Sequence, residues 1–371
     1  MTQTTIQKVP LLDLNAQYDP IKDQIKETLL TIFDSKQFIN GPAVAELEAN
    51  IAAYTGASYA IGVSSGSDAL IVALMALNIG PGDEVITTPF SFFATAGCIS
   101  RVGATPVFCD IDENTFNIDP SKIEDLITDN TKAIMPVHLF GQCADMDPIL
   151  AIAQKYECPV IEDAAQAIGA TYTSYTGETK SAGSMGTIGC FSFFPSKNLG
   201  ACGDGGVVTT NDEVLYNKIK SLRNHGEVTR YHHQFVGGNF RLDTIQAAIL
   251  NIKLPLLDAQ HEGRRRNGQF YNEQLGGKYQ IPVIHEKCQT IYNQYTLKVE
   301  NRDEFQAHLN KHHIGNNIYY PIPLHLQECF ESLGYKEGDF PVAEKCAKQV
   351  ISLPVFSELT HPQLTYITSN L

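Results

Sequence analysis

The sequence predicts an α/β protein with a mixed, mostly parallel sheet and a smaller α+β region at its C-terminal end. Short apolar runs alternate with amphipathic helical segments from residue 59 to about residue 210, the pattern of parallel strands joined by helical crossovers. After about residue 250 the pattern changes to a basic helical stretch, followed by separate strand and helix segments. We therefore expect a large domain over residues 1–250, with an N-terminal helical segment, and a small α+β domain over residues 251–371.

The individual elements follow from hydrophobic spacing. Two N-terminal helices are indicated by apolar residues three or four positions apart, with Gly41-Pro42 starting the second; the spaced residues are Ile21, Ile25, Leu29 and Ile32, then Leu47, Ile51 and Tyr54. Strands are predicted over 59–63, 84–87, 106–110, 133–137, 160–162, 189–192 and 206–209, and helices over 67–77, 93–102 and 148–156.

Composition and charge exclude several classes of protein. The chain has 371 residues, of which 43% are hydrophobic and 18% charged, as in an ordinary globular protein. Its 27 basic and 41 acidic residues give a net charge of −14, which repels phosphate backbones and argues against a nucleic-acid partner. The nine cysteines are scattered without a C-x-x-C pair, so we expect reduced, mostly buried thiols and no metal site.

The termini and hydropathy bear on location. Residues 1–10 are polar and lack the apolar core of a signal peptide, and no run of about 18 apolar residues follows. We expect a cytoplasmic protein with no membrane segment.

The first chemical motif is a small-residue turn between a strand and a helix, SSGSDAL over residues 64–70. Free backbone N–H groups at such a helix start, with a hydroxyl beside them, form a site for one phosphate group. Ser67 as an ordinary N-cap is the alternative for this segment taken alone.

The second motif is VIEDAAQAIGA over residues 160–170, an apolar strand that ends in carboxylates. Because ligands collect beyond the carboxyl ends of parallel strands, Asp163 is expected to point into the site. The alternative is that Asp163 caps a following helix.

The third motif is FSFFPSKNLGACGDGG over residues 191–206, in which a single lysine, Lys197, follows an apolar aromatic strand. Partial burial would lower the pKa of this amine and make it a nucleophile toward carbonyls. Most lysines are instead solvated surface groups.

Together, the anion-binding turn, the strand-end carboxylate and the lysine 34 residues later are the parts that hold pyridoxal phosphate. The motif PFSFFATA over residues 89–96 offers Phe92 to stack on the cofactor ring, with packing in the core as its alternative.

These motifs, in this order and spacing and together with GGNFRLDTIQAAIL at residues 237–250, resemble the DegT/DnrJ/EryC1/StrS family of sugar-nucleotide aminotransferases. The resemblance runs from Leu12 to about Tyr320. It implies an aspartate-aminotransferase-like (fold type I) fold and a cofactor that alternates between pyridoxal and pyridoxamine phosphate. It also implies a homodimer with shared active sites.

The resemblance assigns roles residue by residue. Lys197 matches the lysine that holds the cofactor covalently and moves protons, and Asp163 matches the partner of the ring nitrogen. The other matched positions are Gln166 beside the ring hydroxyl, Gly66, Ser67 and Ser192 around the phosphate, Phe92 on the ring, and Asn239, which reaches the phosphate from the neighbouring subunit.

Substrate class follows from a finer resemblance to the branch that aminates C3 of a 3-oxo sugar nucleotide, such as UDP-2-acetamido-2-deoxy-3-oxo-glucuronate, with L-glutamate as amino donor. Enzymes for dTDP-3-oxo-6-deoxyhexoses are also similar. Arg230 or Arg241 could pair with a uronate or a diphosphate, and Tyr319 or Tyr320 could line the sugar pocket. The alternative for Arg241 is a structural ion pair with Asp243 or another acid, and Tyr319 stands where the uronate enzymes carry His.

Three further expectations follow from the sequence and the resemblance. His138 is expected to be a satisfied structural histidine, and the run Arg264-Arg265-Arg266 a solvated or interface helix face. A biosynthetic role in a cell-surface polysaccharide or lipopolysaccharide is implied by the family. The competing class is a regulatory protein that binds the cofactor or a sugar nucleotide without turnover.

Overall fold

The computed structural model describes residues 8–371. The predicted absence of a signal peptide concerns residues 1–10, of which 1–7 lie outside this range. The α-helices of the described range are α1 Leu14–Tyr18, α2 Lys22–Ser35, α3 Pro42–Thr55, α4 Gly66–Ala76, α5 Ala94–Arg101, α6 Met146–Lys155, α7 Glu213–Leu222, α8 Thr244–Lys253, α9 Leu257–Leu275, α10 Arg302–Lys311, α11 Pro341–Gln349 and α12 His361–Ser369.

The strands are as short as the apolar runs suggest. They are β1 Tyr59–Val63, β2 Glu84–Thr87, β3 Thr105–Phe108, β4 Thr131–Met135, β5 Ile161–Asp163, β6 Thr171–Thr173, β7 Thr179–Ser181, β8 Ile188–Ser192, β9 Gly206–Thr210, β10 Glu227–Thr229, β11 His232–His233, β12 Cys288–Gln289, β13 Tyr295–Lys298 and β14 Val350–Leu353. The predicted helices and strands of the first 210 residues are confirmed, with ends that differ by one or two residues.

The central sheet is mixed and mostly parallel, as predicted. Strands β3, β2 and β4 pair in parallel, and β5 pairs in parallel with β8. Parallel bridges from Ile134 to Val160 and from Val137 to Asp163 join the two groups. The order across the sheet is therefore β3-β2-β4-β5-β8-β9-β1, in which β9 runs antiparallel to both neighbours.

Helices cover both faces of this sheet because its strands alternate their side chains between two cores. Ala60 and Phe191 belong to a cluster with α3, α6 and α8, whereas Ile61 and Cys190 belong to a cluster with α4, α5 and α7. The carboxyl ends of the parallel strands remain uncovered by these layers and hold the site.

The C-terminal half builds a further layer around the antiparallel pair β13 and β14. Its core is centred on Tyr271, Tyr295 and Ile351. Val9, which the prediction assigns to the large domain, forms a bridge to Ile314 and packs in this cluster. The proposed boundary at residue 250 falls inside α8.

Aromatic contacts attach this half to the end of the sheet. The ring of Phe108 at the end of β3 packs edge-on against Phe330 and Phe340, with centroids 6.1 Å apart in both pairs. Together with Phe90 and Phe116 they form one buried cluster. This cluster places Tyr319 and Tyr320 beside the carboxyl ends of the strands.

Candidate active site

Lys197 lies in a tight loop after β8. The backbone N–H of Ala201 donates to the carbonyl of Phe193 over 2.7 Å, which closes residues 194–200 into a loop. A Cβ on Gly200 would lie 2.4 Å from the carbonyl oxygen of Pro195, so this closure requires glycine. The loop turns Lys197 inward, and burial lowers the pKa of its amine to about 8, while the charge of Asp163 acts in the opposite direction. Because its pKa is lowered, a larger fraction of this amine than of a solvated lysine is neutral at physiological pH, and the neutral amine is the nucleophile.

Asp163 is the last residue of β5 and is only 4% exposed. Its Oδ2 accepts a hydrogen bond from Thr95 Oγ1 over 2.8 Å, and its Oδ1 accepts one from the backbone N–H of Ala165 over 3.2 Å. Burial raises the pKa of this carboxyl group, against these hydrogen bonds and the charge of Lys197. Residues 164–170 form turns rather than a helix, so the alternative of a helix cap at Asp163 is wrong.

Gln166 is held between two parts of the chain. Its Oε1 accepts from the backbone N–H of Phe140 over 2.8 Å, and its Nε2 donates to the Tyr320 hydroxyl over 3.0 Å. Tyr320 is thereby fixed next to the strand ends, and burial raises the pKa of its hydroxyl. The predicted cofactor residue and the predicted sugar residue are thus in direct contact.

The small-residue turn leads into α4. Ser65 is the N-cap, since its hydroxyl accepts from the backbone N–H of Asp68 over 3.0 Å. The alternative of Ser67 as N-cap is therefore wrong by two positions, and Ser67 lies in the first helical turn, whose N–H groups have no intrahelical acceptor. A Cβ on Gly66 would lie 2.6 Å from Cβ of Ser192, so glycine lets the turn approach β8 closely. The arrangement is suited to a phosphate group.

Phe92 is 57% exposed, so the alternative of core packing is wrong. Its ring lies 6.3 Å from that of Tyr320, tilted by 44°. Tyr319 contacts Tyr320 edge-on at 5.8 Å and lines a small cavity together with Ser196. An exposed aromatic face beside Tyr320 is available for a planar ligand.

Within residues 8–371, three predicted residues make no side-chain hydrogen bond or ion pair to the Lys197 group, although the backbone of Arg241 bridges Val63 just before the small-residue turn. Asn239 is exposed and pairs its backbone with Asn224. Arg241 donates from Nη1 to Oδ1 of Asn224 over 2.7 Å, and its Nε is buried without a partner. Among residues 8–371 Arg241 forms no ion pair, so the alternative of a pair with Asp243 or another acid is wrong. Arg230 is exposed on the β10–β11 hairpin and stacks on Tyr231.

The expectation that His138 is a satisfied structural histidine is confirmed. It is fully buried, with Nε2 2.8 Å from Oε2 of Glu162 and Nδ1 accepting from the backbone N–H of Ala144 over 3.0 Å. Its backbone N–H donates to the Asp163 carbonyl over 2.9 Å. The pair braces the strand end from which Asp163 projects.

Sequence reasoning missed Thr95 and Lys253. Thr95 lies inside the aromatic motif, where a hydroxyl residue among apolar neighbours was the only signal. Lys253 is 1% exposed, and its amine donates to the carbonyl of Gly200 over 2.5 Å and to the Tyr18 hydroxyl over 3.0 Å. It therefore supports the far end of the Lys197 loop.

The arginine run is also corrected. Arg265 pairs with Glu262 at the surface, as expected of a solvated face. Arg264, however, is only 3% exposed and turns into the protein.

Metal and disulfide chemistry have no sites in the described residues. Residues 8–371 contain no group of three or more His, Cys, Asp or Glu side chains placed to hold a metal ion. All nine cysteines are free thiols, five of them buried. Within the same range, no helix has the length and apolar character needed to span a membrane.

The residues fit pyridoxal phosphate on three independent observations. A buried carboxylate has no cationic partner within 4.0 Å among residues 8–371, which suits a protonated ring nitrogen. A lysine of lowered pKa suits a carbonyl carbon. A helix start brought against Ser192 suits a phosphate group. This combination at the carboxyl edge of an α/β sheet defines the class of pyridoxal-phosphate-dependent enzymes.

Comparison with known proteins agrees with that class. Residues 19–371 match the model of the DegT/DnrJ/EryC1/StrS aminotransferase family. The chain belongs to this family and is a pyridoxal-phosphate-dependent aminotransferase.

Three relatives are similar over almost their full length. A pleiotropic regulatory protein of Geobacillus stearothermophilus is 50% identical over 98% of this chain and 97% of its own. The UDP-N-acetyl-3-dehydro-alpha-D-glucosamine 3-aminotransferase of Acidithiobacillus ferrooxidans is 46% identical, with coverage of 100% and 98%. The UDP-2-acetamido-2-deoxy-3-oxo-D-glucuronate aminotransferase of Pseudomonas aeruginosa is 44% identical, with 96% of both chains covered.

Solved structures share the fold. DesV of Streptomyces venezuelae superposes with a TM-score of 0.95 at 38% identity, covering 98% of both chains. NtdA of Bacillus subtilis, crystallised with bound pyridoxamine phosphate, gives 0.90 at 32% identity, covering 100% of this chain and 86% of its own. The predicted fold type I architecture is confirmed.

Proposed function

We propose that the enzyme transfers the amino group of L-glutamate to C3 of a nucleotide-linked 3-oxo sugar. The observation that carries the chemistry is the inward-facing Lys197, whose amine has a pKa of about 8 in a site that also holds the buried Asp163. The sugar class is supported by the names of two relatives of almost full-length similarity, both of which act on a UDP-linked 3-oxo sugar.

The proposed roles follow from the contacts. When bound, pyridoxal phosphate supplies a protonated ring that accepts the electron pair left by a departing proton. Asp163 holds the proton on the ring nitrogen, and Lys197 carries protons between the reacting carbons. Gly66, Ser67 and Ser192 hold the phosphate group.

Further residues orient the two partners. Gln166 holds the ring hydroxyl, and its amide is already oriented by Phe140 and Tyr320. The exposed ring of Phe92 covers the cofactor. Tyr319 and Tyr320 line the sugar pocket.

The proposal includes a homodimer in which Asn239 of one subunit reaches the phosphate site of the other. It is supported by the exposure of Asn239, whose side chain makes no hydrogen bond within residues 8–371. The exposed Arg230, and Arg241, which donates to Asn224 beside the backbone of Asn239, would meet the diphosphate or a uronate of the sugar nucleotide. The proposal also retains the domains 1–250 and 251–371 and the cytoplasmic location expected from the sequence.

The two named relatives leave one choice open for this enzyme, namely whether its sugar carries a carboxylate. One relative acts on a glucosamine derivative and the other on a glucuronate. The pathway of this enzyme would make an amino sugar for a cell-surface polysaccharide or lipopolysaccharide. A dTDP-3-oxo-6-deoxyhexose is the second candidate, since a dTDP-sugar transaminase of Streptomyces venezuelae is 40% identical over 96% of this chain.

The test uses the visible absorbance of the cofactor-loaded protein. L-glutamate should remove the band, and one 3-oxo sugar nucleotide from a panel of UDP-glucosamine, UDP-glucuronate and dTDP-deoxyhexose derivatives should restore it and appear as the amine by mass spectrometry. Lys197→Ala serves as the control and should lose both the band and turnover. A wild-type band that glutamate leaves unchanged would contradict the proposal.

A further inference from the structure

The segment of residues 290–293, between β12 and β13, lies against the candidate active site. The backbone N–H of Ile291 donates to the carbonyl of Gly141 over 3.0 Å, and that of Asn293 donates to the carbonyl of Phe140 over 2.9 Å. This segment of the C-terminal half is therefore hydrogen-bonded to a turn that follows the central strand β4.

The turn that accepts these hydrogen bonds holds Gln166. Phe140 has a positive φ of 57° and Gly141 one of 91°, and a Cβ on Gly141 would lie 2.7 Å from the backbone nitrogen of Asn293. A positive φ is unfavourable at a residue other than glycine, and it persists where the surrounding contacts fix it. In this conformation the backbone N–H of Phe140 donates to Oε1 of Gln166 over 2.8 Å. The segment therefore fixes the Gln166 amide through the turn.

The same segment also holds the Lys197 loop. The side chain of Asn293 donates from Nδ2 to Oδ1 of Asn198 over 2.6 Å, and Asn198 directly follows Lys197 in the chain. Asn198 donates from its own Nδ2 to the carbonyl of Ile291 over 3.4 Å. Asn198 and Asn293 are only 4% and 8% exposed, so water competes little for these hydrogen bonds.

Arg264 also fixes the segment. Its Nη1 donates to the carbonyls of Tyr292 over 3.0 Å and Asn293 over 3.3 Å. Burial lowers the pKa of its guanidinium to about 10, while the charge of Glu358 acts in the opposite direction. Arg264 therefore remains a cation at physiological pH, and its hydrogen bonds hold the two carbonyls in place.

We propose that Asn293 is a positioning residue of the transamination, which keeps the Lys197 amine and the Gln166 amide at a fixed separation. Its side chain holds the residue after Lys197, and its backbone N–H holds Phe140, whose own N–H holds Gln166. In pyridoxal phosphate the carbonyl carbon and the ring hydroxyl are substituents of adjacent ring atoms. A lysine and an amide that act on these two groups must keep a constant separation, because a displacement of about 1 Å in such a site lowers the rate severely. This inference rests on the proposed function, in which Lys197 and Gln166 act on those two groups.

A double-mutant cycle tests whether Asn293 acts through Asn198. Asn293→Ala and Asn198→Ala each remove one partner of the 2.6 Å hydrogen bond, and the double variant removes both. We expect each single variant to lower kcat of the glutamate half-reaction about tenfold or more, with a smaller change in KM. Because the two residues act as one unit, the double variant should lose little more than the larger single loss. Losses that multiply would overturn the inference.

The visible absorbance of the cofactor-loaded protein gives a readout that does not depend on turnover. Displacement of Gln166 from the ring hydroxyl and of Lys197 from the carbonyl carbon should shift the pH at which this band titrates. A loss of stability alone would lower the melting temperature and leave the titration unchanged. Asn130→Ala makes the same change at an exposed residue before β4 and should leave kcat, the titration and the melting temperature as in the wild type.

A second variant covers the case in which Asn293→Ala does not fold. Asn293→Asp nearly keeps the side-chain volume, but it places an acceptor oxygen opposite Oδ1 of Asn198, where the donor was. We expect the same loss of kcat and the same shift of the titration. A folded Asn293 variant whose band titrates as in the wild type would overturn the inference. Failure of the proposed function is distinguishable, because the wild type itself would then not respond to glutamate.

Discussion

The hydroxyl of Thr95 donates to Oδ2 of Asp163 over 2.8 Å, and Ser91 lies 2.9 Å from the same hydroxyl. The Thr95 hydroxyl therefore helps to orient the buried Asp163 carboxylate toward the open edge of the sheet. Its hydrogen bond lowers the pKa of Asp163, which burial raises. It therefore favours the charged form that a protonated ring nitrogen requires.

Thr95→Val should slow transamination about tenfold or more, since a hydrogen bond to a charged group contributes about 1.5–3 kcal/mol. The measurement is kcat for the glutamate half-reaction by stopped-flow absorbance. Ser91→Ala, which removes a group that does not touch Asp163, should have a smaller effect. Asp163→Asn should give the lowest rate, with kcat reduced by several orders of magnitude. Equal rates in Thr95→Val and wild type would refute the orienting role.

Cofactor capture should depend on pH through Lys197. Its pKa of about 8 lies below the ordinary value of 10.5 because burial disfavours the ammonium form. The neutral, reactive fraction is therefore about half at pH 8, falls about tenfold per pH unit well below that pH, and is nearly complete about one unit above it. The rate constant for capture of pyridoxal phosphate by cofactor-free protein should rise to about pH 8 and then level off. A rise that continues to pH 10 would indicate an ordinary, solvated lysine.

Gly66→Ala should weaken cofactor binding by at least about tenfold, or about 1.4 kcal/mol. The new Cβ would lie 2.6 Å from Cβ of Ser192, so the turn and β8 would have to move apart. The phosphate site proposed for Gly66, Ser67 and Ser192 would then widen. Equilibrium dialysis with pyridoxal phosphate measures the affinity. Gly80→Ala is the matched control, because its Cβ would meet only the carbonyl of Val102 at 3.6 Å. Unchanged affinity in Gly66→Ala would place the phosphate elsewhere.

A shared active site should be visible by subunit complementation. Lys197→Ala and Asn239→Ala should each have low activity as homodimers, since each lacks one part of both sites. If the two parts come from different subunits, a heterodimer contains one intact site and one doubly defective site. Random exchange of equal amounts should then restore about a quarter of wild-type activity. Activity that stays at the average of the two variants would show that each site is built within one chain.

The sequence by itself predicted Lys197 and Asp163 as site residues, because each lies at or soon after the carboxyl end of an apolar strand and because the motifs around them resemble one family. Strand direction places such residues at the same edge, and local pattern is enough to recognise it. The helix start near Ser67 was recognised for the same reason, although the capping hydroxyl belongs to Ser65. Cap geometry depends on backbone angles that neighbouring residue types do not distinguish.

Only the tertiary structure decided which distant atoms meet. Gln166 and Tyr320 are 154 positions apart and share a hydrogen bond, and Arg264 turns inward while Arg265 beside it pairs at the surface. Hydrophobic periodicity predicts that a helix has a buried face. The way the layers pack determines which residue of that face turns inward and which atoms it contacts. The sequence therefore determined the fold class and the chemical core of the site. The burial of Arg264 and the bracing of Asp163 by Thr95 and His138 arise from long-range packing.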